Sequence, residues 1–401
     1  MTTTINNEQK KLNVPNLRFK EFQGEWEKCK VGDFGKIITG NTPLTKDIEN
    51  YENGQYLWVS PADLGLLKSI TETKTKLSKK GFDKTRALPA GSVLVTCIGS
   101  TIGKMGMTTR ETSTNQQINA IVVNKSNNNE FVYYAVQSAF PKYLSSIAVQ
   151  AVPIISKSSF ELLPNYRPSI QEQEKIGRLF ALLDERIATQ SKVIEDLKKL
   201  KCAIIEKHYR QAKLHKYKIC DLGVPFSVGS LSKENLSEKG HECILYGELF
   251  TTYDCVINEI KSHTNKIANM TLSQKRDLLF PSSTTVDAVS LISPSVIDTP
   301  NVVLGGDMFG IHIDKKFNAY YLSYYINIIA RKKLAIYAKG STIIHLHYKD
   351  IAKAQLLLPD LCEQDRIAKC MMAEDDKIKV EEQLMTKLEE QKQYLLRQMF
   401  I

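Results

Sequence analysis

The chain has 401 residues, 42% of them hydrophobic, which is enough for two or three domains with cores of their own. No apolar run reaches the ~18 residues that a membrane-spanning helix needs, and the polar start MTTTINNEQKK lacks the apolar stretch of a signal peptide. We therefore expect a cytoplasmic protein. The formal net charge of +10 is compatible with a polyanionic partner.

The charge is unevenly distributed. Residues 1–168 carry +7 from 21 basic and 14 acidic side chains, and residues 211–359 carry +4 from 17 basic and 13 acidic ones. Residues 169–210 carry +2, whereas residues 360–401 carry −3. Charge alone does not separate a nucleic-acid-binding protein from an ordinary basic one.

The first large segment contains loop-like stretches in which basic residues alternate with hydroxyl and amide side chains. KTKLSKKGFDKTR at 74–86 has the composition that contacts phosphates, and STNQQIN at 113–119 offers amides that can pair with adenine. Taken singly, each stretch is more typical of a solvated loop. On side-chain chemistry we predict DNA contacts from Thr42, Lys74, Lys76, Lys79, Lys80, Lys84, Arg86, Ser100, Thr101, Lys104, Asn115, Gln116 and Gln117.

Two patterns in this segment resemble catalytic motifs. GSTIGKMG at 99–106 is similar to a phosphate-binding loop, but only three residues separate its glycines and Met105 follows the lysine, so a nucleotide site is not expected. Asp63 with Glu72 and Lys74 could form the metal site of a nuclease, although such spacings are common in solvated loops. A free-standing nuclease therefore stays open as an alternative.

A long helix and a second copy of it follow the two large segments. EQEKIGRLFALLDERI at 172–187 returns as EQDRIAKCMMAEDDKI at 363–378, with five identical positions and five exchanges between like charges. The repeat aligns residues 152–209 with 343–400 without a gap. Pro168 or Pro359, an N-cap at Ser169 or Asp360 and acidic first-turn residues predict the two helix starts.

Apolar residues in both helices recur at steps of three, four or seven, which is the spacing of a coiled-coil seam. About 40 residues at 1.5 Å each give a rod of roughly 60 Å, which needs a partner helix. We expect the two helices to pair antiparallel, although each could instead pack only on its own domain. The predicted seam comprises Ile176, Phe180, Leu183, Ile187, Ile194, Leu197, Ile204, Ile367, Met371, Ile378, Met385, Leu388 and Leu395.

The second large segment repeats the basic and hydroxyl composition in KSHTNKIANMTLSQKR at 261–276. Here we predict DNA contacts from Lys261, Lys266, Lys275, Arg276, Ser282 and Ser283. His345 and His347 alternate in STIIHLHY, but no third ligand accompanies them, so we predict no metal site. The eight cysteines lack metal-ligand spacing and are expected to be reduced and mostly packed.

These features divide the chain into four parts: a globular domain at 1–168, a long helix at 169–210, a second globular domain at 211–359 and a second long helix at 360–401. Two unlike basic domains joined through rigid helices suit a long charged ligand such as duplex DNA. Because the domains differ in sequence, the two half-sites should differ too.

The pattern resembles the specificity subunit of Type I restriction-modification enzymes over almost the whole chain. The resemblance is carried by the paired P-x-[IL]-x-E-Q-x-x-I helix starts. The first domain adds GNTP (40–43), YLWVSPADL (56–64), GSTIGK (99–104) and NQQINAI (115–121), and the second adds ILYGEL (244–249), DLLFPSS (277–283) and GGD (305–307). The resemblance implies a mixed α/β fold with two target recognition domains, separated by two long antiparallel helices that form a coiled coil.

The resemblance also implies that the chain has no catalytic site or cofactor of its own. S-adenosylmethionine, ATP and Mg would bind to two methyltransferase subunits and to restriction/translocase subunits that dock on it, in a complex serving bacterial defence and DNA methylation. A rival from another class is a non-catalytic coiled-coil scaffold whose basic domains read no sequence.

Overall fold

The structure is a computed structural model that describes residues 13–65, 67–145 and 154–401. The polar start that argued against a signal peptide lies outside these residues. Among the described helices, none combines the length and apolar character that crossing a membrane requires. The chain divides into two compact units, Met1–Ser191 with Gln383–Ile401, and Lys192–Glu382.

In its described residues, the first unit contains ten strands in three sheets. Their orders are β1-β10, β2-β9-β6-β7-β4 and β5-β3-β8. The strands are β1 (Glu27–Lys30), β2 (Gly35–Thr39), β3 (Tyr56–Val59), β4 (Ser69–Ile70), β5 (Thr75–Leu77), β6 (Val93–Thr96), β7 (Met105–Thr108), β8 (Ser113–Thr114), β9 (Ile118–Val123) and β10 (Pro164–Arg167). Its helices are α1 (Lys79–Phe82), α2 (Asn129–Ser145), α3 (Lys157–Glu161) and the first half of α4 (Ile170–Gln211), with 3₁₀ turns at Val31–Phe34, Ile48–Asn50 and Pro61–Asp63.

The second unit contains fourteen strands in four sheets. Their orders are β11-β24, β12-β22-β18-β20-β15, β13-β16-β14-β21-β17 and β19-β23. The strands are β11 (His215–Lys218), β12 (Gly223–Ser227), β13 (Leu236–Ser237), β14 (His241–Leu245), β15 (Val256–Ile257), β16 (Ser262–Thr264), β17 (Thr271–Leu272), β18 (Asp277–Pro281), β19 (Ser283–Thr284), β20 (Ser295–Ile297), β21 (Val303–Gly305), β22 (Met308–Ile313), β23 (Ile344–His345) and β24 (Gln355–Leu358).

The helices of the second unit are mostly short. A longer helical stretch runs through α7 (Ala319–Tyr325), a π-helical turn at Ile326–Ala330 and α8 (Arg331–Ala335). The remaining helices are α5 (Glu248–Thr251), α6 (Ala288–Leu291), α9 (Tyr348–Ile351) and the first half of α10 (Leu361–Met399), with 3₁₀ turns at Ile219–Asp221 and Lys233–Asn235. Both units are therefore mixed α/β domains.

The two units share a topology despite their different sequences. In the sheets β2-β9-β6-β7-β4 and β12-β22-β18-β20-β15, all pairings are antiparallel except at one edge, where β4 pairs parallel to β7 in the first unit and β15 pairs parallel to β20 in the second. The segments CKVGDFG (29–35) and YKICDLG (217–223) are similar in sequence, and each runs through a strand, a turn and the start of a second strand. In that turn Asp33 accepts from the Lys30 amide and Asp221 from the Lys218 amide, both at 2.7 Å. The internal repeat therefore extends through the domains.

The long helices begin where the sequence predicts. Ser169 accepts from the amide of Glu172 at 3.4 Å, and Asp360 accepts from the amide of Glu363 at 2.9 Å. No predicted seam residue is exposed. Those that are buried are Ile176, Phe180, Leu197, Ile367, Met371, Ile378 and Leu388.

The ends of both helices are built into the domain cores. In the first unit Phe180 of α4 and Phe400 beyond α10 lie with ring centroids 5.7 Å apart in the core that contains Trp26. In the second unit Ile205 of α4 and Met371 of α10 belong to one buried cluster. Within each unit, the helices therefore contact each other and the core of their domain.

Candidate nucleic-acid interface

One corner of the first unit brings together stretches that the sequence places far apart. It consists of residues 39–44, 84–86, 98–101 and 114–117, which we call the first corner. Its centre is Asn41, whose side chain donates to the Lys84 carbonyl at 2.9 Å and accepts from the Arg86 amide at 3.1 Å. Its own amide donates to the carbonyl of Thr114. Asn41 thus connects three loops.

Two predicted contact residues face each other across this corner. The Thr42 hydroxyl lies 2.5 Å from Oε1 of Gln116, and both side chains are exposed. Arg86 donates from Nη1 to the carbonyl of Thr39 at 2.6 Å. Gly40 is required here, because a Cβ at this position would lie 2.2 Å from the Thr114 carbonyl oxygen. The corner therefore presents hydroxyl, amide and guanidinium groups on a closely packed backbone.

The second unit contains an equivalent corner, identified by matching backbone hydrogen bonds. The Cys97 amide donates to the Gln117 carbonyl at 2.7 Å, and the Ser282 amide donates to the Asp307 carbonyl at 2.8 Å. Next to these bonds, the Ile155 amide donates to the Cys97 carbonyl and the Leu346 amide donates to the Ser282 carbonyl, each at 2.8 Å. Asp307 in the second unit therefore corresponds in backbone position to Gln117 in the first unit.

We call residues 228–231, 266–270, 282–286, 305–307 and 345 the second corner. Lys266 Nζ donates to the Ser230 carbonyl at 2.9 Å, and the amide of Gly306 donates to the carbonyl of Gly229 at 3.1 Å. The side chains of Asp307 and His345 are 43% and 45% exposed at this corner. The two corners thus share a backbone framework but present different side chains.

Most lysines predicted in the stretch 74–86 are already paired with acids. Nζ of Lys76 is 2.6 Å from Glu72, Nζ of Lys79 is 2.6 Å from Asp83, and Lys80 pairs with Glu49. These pairs are exposed and therefore contribute little to stability, so they can exchange for phosphates. Lys84 pairs with Asp47 at 3.0 Å, and Lys74 has an exposed side chain.

Three other predicted contact residues are buried. Asn115 is 7% exposed, Ser282 3% and Ser283 8%, so in this structure they support the corners from beneath. Arg276 donates to the carbonyl of Phe317 and does not reach the second corner through any described hydrogen bond. Lys261 pairs with Glu259 at 2.6 Å. The sequence could not separate these residues from exposed ones, because loop composition does not encode burial.

The near-motif GSTIGK forms the turn that joins β6 to β7. Gly103 donates to the Thr96 carbonyl and Thr96 to that of Lys104, each at 2.9 Å. The exposed residues of this turn are Ser100 and Lys104, whereas Thr101 is partly buried. The turn therefore closes a hairpin, and it ends beside the first corner.

The proposed nuclease constellation is not assembled. Asp63 accepts from the amide and hydroxyl of Ser60 and from the Lys74 amide, which occupies both carboxylate oxygens. Glu72 forms an ion pair with Lys76 instead. Among the described residues there is no cluster of three His, Cys, Asp or Glu side chains that could hold a metal ion.

The structure also places the histidines and cysteines considered in the sequence. The rings of His345 and His347 lie 6.2 Å apart and are inclined by 15°, but His347 follows the strand Ile344–His345 and is not part of it. All eight cysteines are free, as expected, but only Cys29, Cys97 and Cys243 are buried. The expectation of mostly packed thiols is wrong for the exposed Cys202, Cys220 and Cys362, because helix faces and turns carry them to the surface.

The structure also explains the glutamine in the paired helix starts. Gln173 accepts from the amide of Asn128 at 3.1 Å and donates to the Pro168 carbonyl at 3.0 Å. Gln364 accepts from the amide of Asn318 at 2.9 Å and donates to the Pro359 carbonyl at 2.8 Å. Each buried amide therefore joins the start of a long helix to the N-cap of a domain helix.

A second duplicated contact holds the domain helices against the long helices. In the first unit the Tyr134 hydroxyl donates to Asp184 at 2.5 Å, and Nζ of Lys392 lies 2.6 Å from the same carboxylate. Burial raises the pKa of Tyr134, so the phenol remains a donor. These three residues carry no sequence motif of their own, and only the repeat could have revealed them.

The same contact recurs in the second unit. The hydroxyl of Tyr324 donates to Asp375 at 2.5 Å, and Lys201 pairs with that carboxylate. Burial raises the pKa of Tyr324 as well. Along α4 the partners on α10 occur in reverse order, because Lys198 pairs with Glu382 and Lys201 with Asp375. The two helix segments are therefore antiparallel within this unit.

Comparison with known proteins places these features in one family. The model of the Type I restriction modification DNA specificity domain matches twice, over residues 23–199 and 219–390. The HindI specificity subunit of a Type I restriction enzyme from Haemophilus influenzae is 34% identical over 126 residues, which cover 31% of this chain and 27% of that relative. The MjaIX specificity subunit from Methanocaldococcus jannaschii is 27% identical over 182 residues, covering 44% and 42%.

A solved structure supports the same fold. The S subunit of a Type I restriction-modification system from M. genitalium has a TM-score of 0.62 to this chain, at 15% sequence identity. The likeness covers 97% of this chain and 99% of that one. The matches to the two curated relatives, in contrast, span less than half of each relative's length.

Proposed function

The chain belongs to the family of Type I restriction-modification DNA specificity proteins, and we propose that its two domains read two unlike halves of one DNA target. The observation that carries this proposal is the duplicated corner. One backbone framework occurs in both units, but it holds Gln117 in the first and Asp307 in the second. A common framework with different polar side chains is suited to docking alike on DNA while reading different bases.

The chemistry of the first corner favours adenine and phosphate contacts. The exposed amide of Gln116 can make paired hydrogen bonds to the N6 and N7 atoms of adenine. Lys84 and Arg86 beside it supply charges for the DNA backbone. Thr42 holds the amide by its hydroxyl. Of the DNA contacts predicted in the first domain, our proposal therefore keeps chiefly those at the first corner.

We further propose that the long helices pair as an antiparallel coiled coil and dock the partner subunits. The buried seam and the reversed order of ion pairs support the pairing. Apolar side chains also point outward from these helices, which suits burial against other proteins. They are Leu182, Val193, Leu200, Val380 and Leu384.

In this proposal catalysis belongs to the partners. Two methyltransferase subunits would use S-adenosylmethionine, and the restriction/translocase subunits would use ATP and Mg. The Asp63 carboxylate, bound to backbone amides, favours this reading over a nuclease within the chain.

Selection from a random duplex pool tests the function. The full chain, co-purified with its methyltransferase subunits, should enrich one asymmetric target in two parts, and Gln116→Ala should relax a base in one part only. A scaffold without sequence reading would enrich no sequence. Magnesium-dependent cleavage by the isolated chain that is lost in Asp63→Ala would instead support a nuclease.

A further inference from the structure

The second corner presents an acidic side chain where a DNA-binding surface should be basic. Asp307 is 43% exposed in a segment of the chain that is otherwise positively charged. A carboxylate beside the phosphates of DNA is repelled, unless it faces a hydrogen-bond donor. The only donors in the major groove are the amino groups of adenine and cytosine.

The backbone holds Asp307 in a fixed position. Its carbonyl accepts from the Ser282 amide at 2.8 Å, in register with the pairing of β18 and β22. The preceding residue, Gly306, has a φ of +93°. The turn that leads to Asp307 uses this backbone conformation, which other residues adopt only under strain. A side chain that reads bases must be positioned in this way by the structure behind it.

The carboxylate is free to accept new hydrogen bonds. The imidazole of His345 lies beside it, with Nδ1 at 3.9 Å from Oδ2, which is too long for a hydrogen bond. No other side-chain partner of Asp307 is found in the described parts of the chain. His345 itself is fixed by two backbone bonds with Lys339, at 2.7 and 2.9 Å. The imidazole thus stands beside the carboxylate without forming a hydrogen bond to it.

We propose that Asp307, positioned beside His345, accepts a hydrogen bond from the N4 amino group of a cytosine in the half-site bound by the second unit. This rests on the proposed function. Guanine and thymine offer acceptors at the major-groove edge, which repel a carboxylate. On the major-groove edge of adenine, the N6 amino donor lies next to the acceptor N7, which repels a carboxylate. Cytosine presents its N4 amino donor without an acceptor on the same base. Cytosine is therefore the base that an acceptor-only side chain selects.

A metal ion is the competing ligand for an Asp and a His. Zinc, which an Asp and a His could bind, is disfavoured because zinc sites in proteins use at least three ligating side chains, and the described residues contain no group of three His, Cys, Asp or Glu side chains that could hold a metal ion. In the first unit, Ile154 stands where His345 stands in the second, as the bridge from Ile98 shows. The Asp–His pair therefore occurs at the second corner and not at the first. This agrees with two units that read different half-sites.

The test is selection from a random duplex pool by the full chain with its methyltransferase subunits. Asp307→Asn should shift one position from cytosine towards adenine by about fivefold or more, because an amide pairs with adenine N6 and N7. That position should lie in the half-site left unchanged by Gln116→Ala. Asp314→Asn is the matched control, since Asp314 is exposed at the opposite end of β22.

Each outcome decides the proposal. An unchanged cytosine preference in Asp307→Asn overturns it while the function stands, and a wild-type pool without any enriched sequence overturns both. If Asp307→Asn melts at a lower temperature, Asp307→Glu decides, because it keeps the carboxylate and should keep cytosine. Loss of all sequence preference in both variants at unchanged melting temperature also overturns base reading by Asp307.

Discussion

Lys392 Nζ lies 2.6 Å from Oδ1 of Asp184, although the two residues come from different long helices. The same carboxylate accepts from the hydroxyl of Tyr134 on a domain helix. One half-buried acid therefore joins three helices of the first unit. Asp375 does the same in the second unit with Lys201 and Tyr324.

Replacing either acid should destabilise its own unit. Asp184→Asn keeps the shape but loses the charge that Lys392 and Tyr134 require, and we expect a loss of about 1–3 kcal/mol in the free energy of unfolding. Denaturant unfolding monitored in the full chain measures it. Glu185→Gln on the exposed face of the same helix should change the midpoint little. Equal effects of both variants would contradict a specific role for Asp184.

The buried glutamines of the repeated helix starts should matter more than their neighbours. Gln173→Ala leaves the Asn128 amide and the Pro168 carbonyl without their partner, which we expect to destabilise the first unit by about 1–3 kcal/mol. Thermal unfolding of the full chain provides the measurement. Gln171→Ala, two residues earlier on the exposed face, is the control. The prediction fails if the two variants melt at the same temperature.

Asn41 should set the shape of the first corner without touching DNA itself. Its side chain connects the Lys84 carbonyl to the Arg86 amide, so Asn41→Ala should loosen the loop and weaken duplex binding about tenfold while the core stays folded. Amide hydrogen exchange should increase at Arg86 and leave β9 protected. Asn16→Ala, at an exposed position of the same unit, is a control for loss of an amide. Unchanged exchange at Arg86 would refute the role.

The sequence predicted the helices better than the corners, for a physical reason. Helix periodicity is local, so Pro168, the N-cap Ser169 and the seam could be read directly from the residues. The corners depend on hydrogen bonds between residues far apart, such as Asn41 with Lys84. Composition singled out loops of the first corner but could not show that Asn115 is buried beneath them.

The repeat carried information that single motifs did not. Aligning the helix starts pointed to Gln173 and Gln364 as a pair, yet their partners Asn128 and Asn318 lie in domain segments whose sequences have diverged. Asp307 was visible within GGD, but its equivalence to Gln117 follows only from the strand register. Backbone geometry is retained in both units where side chains are not.

The buried thiols of the first unit should be resistant to alkylation. Burial raises the pKa of Cys97 to about 12, so at pH 8.5 it remains a protonated thiol that does not react. Exposed Cys202 and Cys362 are controls on the same molecule and should be modified first. Mass spectrometry of the full chain after iodoacetamide treatment, with and without denaturant, measures the difference. Equal labelling of Cys97 and Cys202 in the folded chain would contradict this.

The same shift has a consequence for stability at alkaline pH. The folded-state pKa lies above the unfolded value of roughly 8.5, so the folded state binds the proton more tightly. The contribution of the protonated Cys97 thiol to the free energy of unfolding is complete below pH 8.5, and it is lost as the pH rises towards 12. The midpoint of unfolding should fall over this range, and it should fall less steeply in Cys97→Ala.

Lys84 should contribute a phosphate contact at the first corner. It is exposed and is held by an ion pair with Asp47 and a hydrogen bond to Asn50, which phosphates of bound DNA can replace. Lys84→Ala should lower the slope of log affinity against log salt concentration by about one and weaken all duplexes alike. Titrations of the assembled complex at several salt concentrations measure this slope. Lys36→Ala, at the opposite end of β2 from the corner, should leave it unchanged, and a similar change in both variants would place Lys84 outside the DNA contact.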